Sequence, residues 1–183
     1  PQVVKARQRK LLTTRQIPIS HIHDYISAIC RDKGVIDFGY ANHSDETAHF
    51  SGQSTHKTVL STAATVIGID IVTPSEDLKR TSGSKASYLT IDLTTTETLN
   101  SDYQELFSSI DIFLASNVLE HLDNPGSFFR SVDKYSPAAR LVVIVPNPLW
   151  ILGLRDMVRI NPNYSSLTVD HVAMLYPSAL IEL

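Results

Sequence analysis

The chain has 183 residues, of which 43% are hydrophobic and 19% are charged, and its formal net charge at pH 7 is −3. This length suits one domain that buries a core without staples, and the single cysteine, Cys30, excludes an intramolecular disulfide. Residues 5–15 are locally basic, but the chain as a whole lacks the basic footprint of a nucleic-acid binder. No apolar run approaches the roughly 18 residues of a membrane span, so we expect a cytoplasmic protein with no membrane span and no nucleic-acid partner.

Apolar runs bounded by turn residues alternate with helical patterns, which indicates βαβ units and a largely parallel sheet. The stretch HIHDYISAIC (21–30) has apolar residues at helical spacing, with Ser20 as a candidate N-cap and Gly34 as a stop signal. Further helices are predicted for 56–64 and 124–136, the second with Pro125 near its start. The predicted strands, in chain order, are 35–38, 65–72, 86–93, 110–116 and 140–147.

Polar residues stand where the predicted strands end. Ligands of open α/β sheets lie outside the carboxyl ends of the strands, so these positions are the candidate binding residues. A carboxylate after the second strand suits a ribose diol and one after the third suits an exocyclic amine, so Asp70 and Asp92 together predict an adenosine site. Taken singly, each acid also fits a structural role: Asp37 as a loop cap, Asp70 as a solvated strand end and Asp92 as a turn former.

The loop after the first strand, within GVIDFGYANHSD (34–45), begins like a nucleotide-binding glycine turn and then departs from it. Gly39 is followed by Tyr40, Ala41, Asn42 and His43 where such loops usually continue with glycines. No G-x-G-x-x-G follows the strand, which disfavours a nicotinamide-dependent oxidoreductase.

From about Gly34 to Asn147 the sequence resembles class I S-adenosylmethionine-dependent methyltransferases. VIDFGYAN (35–42) is similar to the first motif of the family, VIGIDI (66–71) to the second, and TIDL (90–93) to the adenine-contacting turn. ASNVLEHLDNP (115–125) resembles the fourth-strand motif, and LVVIVPN (141–147) resembles the fifth. Within the family, the chain is most similar to the bacterial branch of sugar, lipopolysaccharide and small-metabolite methyltransferases.

The resemblance implies a Rossmann-like, doubly wound α/β/α sandwich in one domain over residues 1–183. Residues 1–33 would form an N-terminal helical segment, 34–147 the cofactor-binding core, and 148–183 a substrate-side segment and helix. The implied cofactor is S-adenosylmethionine, and the implied partner is a small-molecule or sugar acceptor. The implied cofactor-binding residues are Asp37, Gly39, Tyr40, Ala41, Asp70, Ile71, Asp92, Leu93 and Asn117.

Methyl transfer from a sulfonium leaves the protein to position the acceptor and remove its proton. His121 and His171 are the best candidates for the catalytic base, because an imidazole titrates near neutral pH, and His43 is a weaker one. Some related methyltransferases bind a divalent cation through a Glu-x-x-Glu-His run. Here Glu120, His121 and His171 match three elements, but Asn117 replaces the first glutamate, so we expect no metal site.

A second function class remains open: a non-catalytic domain that keeps this fold as a cofactor-binding or protein-interaction module. The few glycines of the first loop favour it, as does the lack of a predicted sixth and seventh strand after residue 147. An open sheet edge would favour a homodimer, and a truncated chain is the other explanation. The start at Pro1 without a methionine also predicts a processed or trimmed chain.

Overall fold

The structure, a computed structural model, describes residues 21–41, 54–93, 103–135 and 139–145. Its centre is a five-stranded parallel sheet with strand order β3-β2-β1-β4-β5. The strands are β1 Gly34–Phe38, β2 Thr65–Asp70, β3 Ala86–Thr90, β4 Ile112–Ser116 and β5 Arg140–Ile144. The helices are α1 Ile22–Cys30, α2 Thr55–Thr62, α3 Glu76–Ser82, α4 Gln104–Phe107 and α5 Pro125–Tyr135.

Helices cover both faces of the sheet, because successive residues of each strand point to opposite sides. Val35 of β1 packs in one buried cluster with residues of α1 and α2. Ile36 and Phe38 pack in the other cluster with residues of α4 and α5. All five residues of β1 are buried, as expected for a central strand of a parallel sheet. The predicted fold class, a Rossmann-like α/β sandwich with a mostly parallel sheet, is confirmed by this order and layering.

Gly34 does not end the first helix as the sequence predicts. The helix ends at Cys30, and Asp32 takes the positive φ of 58° in the turn that follows. Gly34 is instead the first residue of β1, paired with Thr65, and a Cβ there would lie 2.9 Å from the carbonyl oxygen of Ser109. Close packing therefore explains this glycine, and Ser20, the predicted N-cap, lies outside the described residues.

Strand β2 ends two residues earlier than predicted. The carboxylate of Asp70 accepts a hydrogen bond from the backbone N–H of Val72 at 3.0 Å, which turns the chain away from the sheet. Ile71 and Val72 consequently become exposed, at 62% and 46%. The end of the strand is thus set by one of the predicted site residues.

Helices α3 and α4 are absent from the sequence prediction. The start of α3 carries a clear signal: Ser75 Oγ accepts from the backbone N–H of Leu78 at 3.2 Å, and Glu76 and Asp77 follow in the first turn. Residues 1–20 and 146–183 lie outside the described residues. The domain boundaries, the lack of a sixth and a seventh strand, and the homodimer therefore stay predictions. None of the helices within the described ranges is both long and apolar enough to cross a membrane.

Candidate functional site at the carboxyl ends of the strands

A polar pocket opens at the carboxyl ends of β1 and β4. Strand β1 pairs with β2 on one side and with β4 on the other. The strand order therefore reverses at β1, and the pocket lies at this switch point, where ligands of such folds bind. The start of α2 closes its third side. The lining residues are Asp37, Gly39, Tyr40, Ser54, Thr55, His56, Ser116 and Asn117. Four of the predicted cofactor-binding residues are therefore brought together: Asp37, Gly39, Tyr40 and Asn117.

Gly39 makes the tight turn after β1 that the sequence predicts. Its φ is +69°, and its N–H donates to the carbonyl oxygen of Ile69 at 2.8 Å. A Cβ at this position would lie 2.5 Å from Val118 Cγ2. The turn therefore requires glycine twice over, for its left-handed backbone and for the close approach of the segment that follows β4.

Asp37 is paired, through one carboxylate oxygen, with a residue that the sequence analysis did not single out. Its Oδ2 lies 2.8 Å from His56 Nδ1, and both side chains are 2% exposed. His56 Nε2 lies 3.0 Å from the hydroxyl of Tyr88. Burying a carboxylate is costly unless it is paired, so the lone acid in the apolar strand GVIDF was the signal that a partner had to exist. Nothing in the sequence pattern distinguishes His56 as that partner among seven histidines.

Tyr40 forms a wall of the pocket with two other rings. Its centroid lies 5.3 Å from that of His56 and 5.1 Å from that of Tyr88, and its hydroxyl donates to the carbonyl oxygen of Val72 at 2.8 Å. Gly68 of β2 makes room for these rings, since a Cβ there would lie 2.6 Å from Tyr88 Cδ1 and 2.9 Å from Tyr40 Cδ1. The side chain of Tyr40 is 3% exposed, so it shapes the pocket from inside the packed structure.

Asp70 joins the loops that follow β1 and β2. One carboxylate oxygen accepts from the backbone N–H of Ala41 at 2.9 Å, and the other accepts from Val72 N–H at 3.0 Å. The residue is 7% exposed. A carboxylate has about four acceptor positions, so two backbone bonds leave capacity for further donors.

The remaining cofactor-binding candidates stand along the same edge. The backbone N–H of Ile91 donates to the carbonyl oxygen of Asp70 at 2.7 Å, which brings the half-buried Asp92 and Leu93 beside the end of β2. Asn117 is exposed, has a φ of +54°, and donates its backbone N–H to the carbonyl oxygen of Ile144 at 2.8 Å. A non-glycine residue in this left-handed conformation is uncommon, although asparagine tolerates it well.

Of the two predicted catalytic histidines, only His121 lies within the described residues. His121 is half-buried on a 3₁₀ turn, Leu119–His121, next to the buried Glu120, and it is not among the residues that line the pocket. His171 lies outside the described residues. Within the ranges that the structure describes, no three His, Cys, Asp or Glu side chains are grouped so as to hold a metal ion.

Two groups near Asp37, the buried Cys30 and the half-buried Tyr88, have raised pKa values. Burial, and then the charge of Asp37, raise the pKa of the Cys30 thiol to about 12. Burial also raises the pKa of Tyr88; the hydrogen bond with Ser82 lowers it in part, and Asp37 raises it further. Both groups therefore keep their protons near neutral pH.

Comparison with known proteins adds one distant similarity. No protein-family model and no curated protein matches the sequence. Among solved structures, the chain is similar to a candidate type II methyltransferase from Anaeromyxobacter dehalogenans, with 15% sequence identity and a TM-score of 0.42 over 86% of this chain and 67% of that one. A TM-score at this level establishes neither a shared fold nor a shared activity, so the fold rests on the strand order and pairing.

Proposed function

We propose that the chain binds S-adenosylmethionine along the carboxyl edge of its sheet and transfers the methyl group to a small-molecule or sugar acceptor. The observation that carries this proposal is the convergence of strand-end residues: Asp37, Gly39 and Asn117 line one pocket, and Asp70 is hydrogen bonded to Ala41 of the same loop. The motif resemblance assigns these residues to one ligand, and the fold supports their being neighbours.

The pocket between β1, β4 and α2 suits the amino-acid end of this cofactor. An amino-acid moiety carries an ammonium and a carboxylate close together. The carboxylate of Asp37, which His56 contacts through Oδ2, lines one side of the pocket and is the group that would face the ammonium. Ser54 and Thr55 stand on another side at the N-terminus of α2, where the helix dipole favours an anion. The acidic side chain and the helix N-terminus therefore suit the ammonium and the carboxylate of a zwitterion.

The edge formed by β2 and β3 suits the adenosine end. Asp70 has acceptor capacity beyond its two backbone bonds, which fits ribose hydroxyls. Ile71 presents an exposed apolar side chain directly after it, and the turn with Asp92 and Leu93 lies alongside. An apolar surface beside polar acceptors is what a purine base requires.

When bound, the cofactor supplies an activated methyl group. The residues of this chain would hold its two ends, orient the acceptor and take the proton that an alcohol or amine loses. We retain His121 and His171 as the candidate bases: His121 lies four residues after Asn117, on the turn that leaves the pocket. No metal takes part in this proposal.

The binding part of the proposal is tested by calorimetric titration with S-adenosylhomocysteine, S-adenosylmethionine and NAD. We expect saturable binding of the first two and none of NAD. Asp70→Ala should weaken binding by about 1.5 to 3 kcal/mol, roughly 10- to 150-fold, because a charge-assisted contact to the ribose is lost. Asp77→Ala is the matched control, since Asp77 is exposed on α3 and pairs with Arg80. Unchanged affinity in Asp70→Ala would exclude Asp70 from the ribose site.

Transfer of labelled methyl groups to a panel of sugar and small-metabolite acceptors separates an enzyme from a binding module. His121→Ala should lower turnover more than it changes cofactor affinity, since proton removal belongs to the transition state. Activity should survive exhaustive chelation. Binding without transfer to any acceptor would favour the non-catalytic module, and loss of activity on chelation with recovery on adding Mg²⁺, Mn²⁺ or Zn²⁺ would contradict the metal-free site.

A further inference from the structure

The loop after β1 is joined to the end of β2 by backbone hydrogen bonds on both sides of Tyr40. The N–H of Gly39 donates to the carbonyl oxygen of Ile69 at 2.8 Å. The N–H of Ala41 donates to Asp70 Oδ2 at 2.9 Å. Tyr40 is thereby held beside the carboxyl end of β2, where its side chain reaches the turn that follows.

The turn after β2 is exposed between two buried residues. Asp70 and Pro74 are buried, and the three residues between them are exposed, with Ile71 at 62% and Val72 at 46%. Burial of these side chains contributes little to holding the turn, so its hydrogen bonds matter more. Val72 donates its N–H to Asp70 Oδ1 at 3.0 Å, and its carbonyl oxygen accepts from the Tyr40 hydroxyl at 2.8 Å. Side chains from β2 and from the loop after β1 therefore hold the centre of this turn together.

The ring of Tyr40 is packed so that its hydroxyl has a defined position. The side chain is almost fully buried, and its ring centroid lies 5.3 Å from that of His56 and 5.1 Å from that of Tyr88. Gly68 leaves the space for the ring, since a Cβ there would lie 2.9 Å from Tyr40 Cδ1. Close packing restricts rotation of the ring, so the packing determines which group the hydroxyl can reach.

We propose that Tyr40 is a positioning residue, whose hydroxyl fixes the turn after β2 in the geometry that presents Ile71 and the remaining acceptor positions of Asp70 to a ligand. The family resemblance implies direct cofactor contact for Tyr40, but a side chain that is 3% exposed has little surface to offer. The role in ligand binding rests on the proposed function. The hold of the hydroxyl on the turn does not.

The Tyr40 hydroxyl would thus connect the two halves of the proposed site. Tyr40 belongs to the loop assigned to the amino-acid end of the cofactor, whereas the turn that it holds lies at the adenosine end. A turn that is ordered before the ligand arrives reduces the ordering cost of binding. Removing the hydroxyl should therefore weaken binding of the adenosine end, although Tyr40 itself lies in the other loop.

Amide hydrogen exchange in the ligand-free protein tests the hold on the turn. Tyr40→Phe keeps the packed ring and removes the hydroxyl, so the fold should persist while the turn opens more often. We expect the N–H of Val72 to exchange about 3- to 10-fold faster than in the wild type, the range for one neutral hydrogen bond. Equal exchange of this amide in both proteins would overturn the proposal.

Tyr88→Phe is the matched control for exchange. It also removes one hydroxyl from the same group of rings, but that hydroxyl contacts Ser82 and His56, which lie outside the turn. The N–H of Val72 should exchange in this variant as it does in the wild type. Equal acceleration in Tyr40→Phe and Tyr88→Phe would indicate a general loss of stability and would also overturn the proposal.

Calorimetric titration with adenosine and with S-adenosylhomocysteine tests the connection between the two halves. Tyr40→Phe should weaken both ligands by a similar factor, about 3- to 10-fold, although adenosine lacks the amino-acid end. Weaker binding of S-adenosylhomocysteine alone would place the effect of Tyr40 at the amino-acid end and contradict its role at the turn. If the wild type binds neither ligand, the proposed function fails, and exchange at Val72 still decides whether Tyr40 holds the turn.

Discussion

Gly39 is the residue at which backbone conformation and packing limit substitution most clearly. We predict that Gly39→Ala lowers the free energy of unfolding by about 2 to 4 kcal/mol, which combines the cost of a positive φ with overlap against Val118. Denaturant unfolding measures the change. In a Val118→Ala background the overlap is gone, so the cost of Gly39→Ala should shrink to the backbone part. An equal cost in both backgrounds would show that Val118 does not limit this position.

Gly68 limits substitution for a different reason, since it has no positive φ. A Cβ at this position would meet the rings of Tyr88 and Tyr40 at 2.6 and 2.9 Å. We predict that Gly68→Ala costs about 1 to 3 kcal/mol of unfolding free energy through overpacking. In Tyr88→Ala only the close contact with Tyr40 at 2.9 Å remains, so adding Gly68→Ala should cost less there than in the wild type. An equal loss in both backgrounds would mean that the ring of Tyr88 is not the cause.

At the level of residues, the sequence predicts that the site lies at the carboxyl ends of the strands, but it does not predict which side chains contact one another there. Asp37 and Gly39 are predicted as site residues because they stand at the end of the first strand in a motif that resembles the first motif of the methyltransferases, and both line the pocket. His56 could not be selected, because its pairing with Asp37 depends on how a helix 19 residues away packs on the sheet. The spacing of residues along the sequence carries no information about that contact. The acidic Asp37 within an apolar strand indicates that a partner exists but does not identify it.

The N-terminus of helix α3 shows how a single side chain stabilises a helix. We predict that Ser75→Ala, which removes the hydroxyl that accepts from Leu78 N–H, lowers the free energy of unfolding by about 1 kcal/mol. Ser61→Ala is the control: Ser61 is exposed near the end of α2 and its hydroxyl donates to the carbonyl oxygen of Thr58 in its own helix, so little change is expected. A loss in Ser61→Ala as large as in Ser75→Ala would contradict the capping role.

The five strands were predictable because each is a short apolar run bounded by turn residues, and all five are found. Their ends were less predictable, since β2 stops where the Asp70 side chain captures a backbone N–H. Helix α3 was missed although Ser75 followed by Glu76 and Asp77 is an N-terminal signal, because only Leu78 of its seven residues is buried and no apolar stripe marks it.

The stability of the whole molecule should depend on alkaline pH through Cys30. Its thiol ionises near 9.0 in an ordinary environment but only at about 12 in the fold, so between these values unfolding releases a proton. The contribution of the neutral thiol is fully present below about pH 9 and is lost as the pH rises towards 12. Tyr88, whose pKa is also raised, acts in the same direction at higher pH.

We therefore predict that unfolding free energy falls less steeply above pH 9 in Cys30→Ala than in the wild type, by up to about 1.4 kcal/mol per pH unit. Denaturant unfolding at a series of alkaline pH values measures both slopes. The comparison of slopes is independent of the fixed cost of the small cavity that the substitution leaves. Identical slopes would show that the Cys30 thiol ionises in the folded protein as readily as in the unfolded chain.

The central claim is that S-adenosylmethionine binds at the carboxyl edge of this sheet, between the loops that follow β1, β2 and β4. Backbone amide NMR during titration with S-adenosylhomocysteine tests binding and location together. We predict saturable shifts at Gly39, Ala41, Ile71 and Asn117, with the opposite edge of the sheet, at Gly34, unchanged. Absence of any saturable shift, or shifts confined to the opposite edge, would contradict the account.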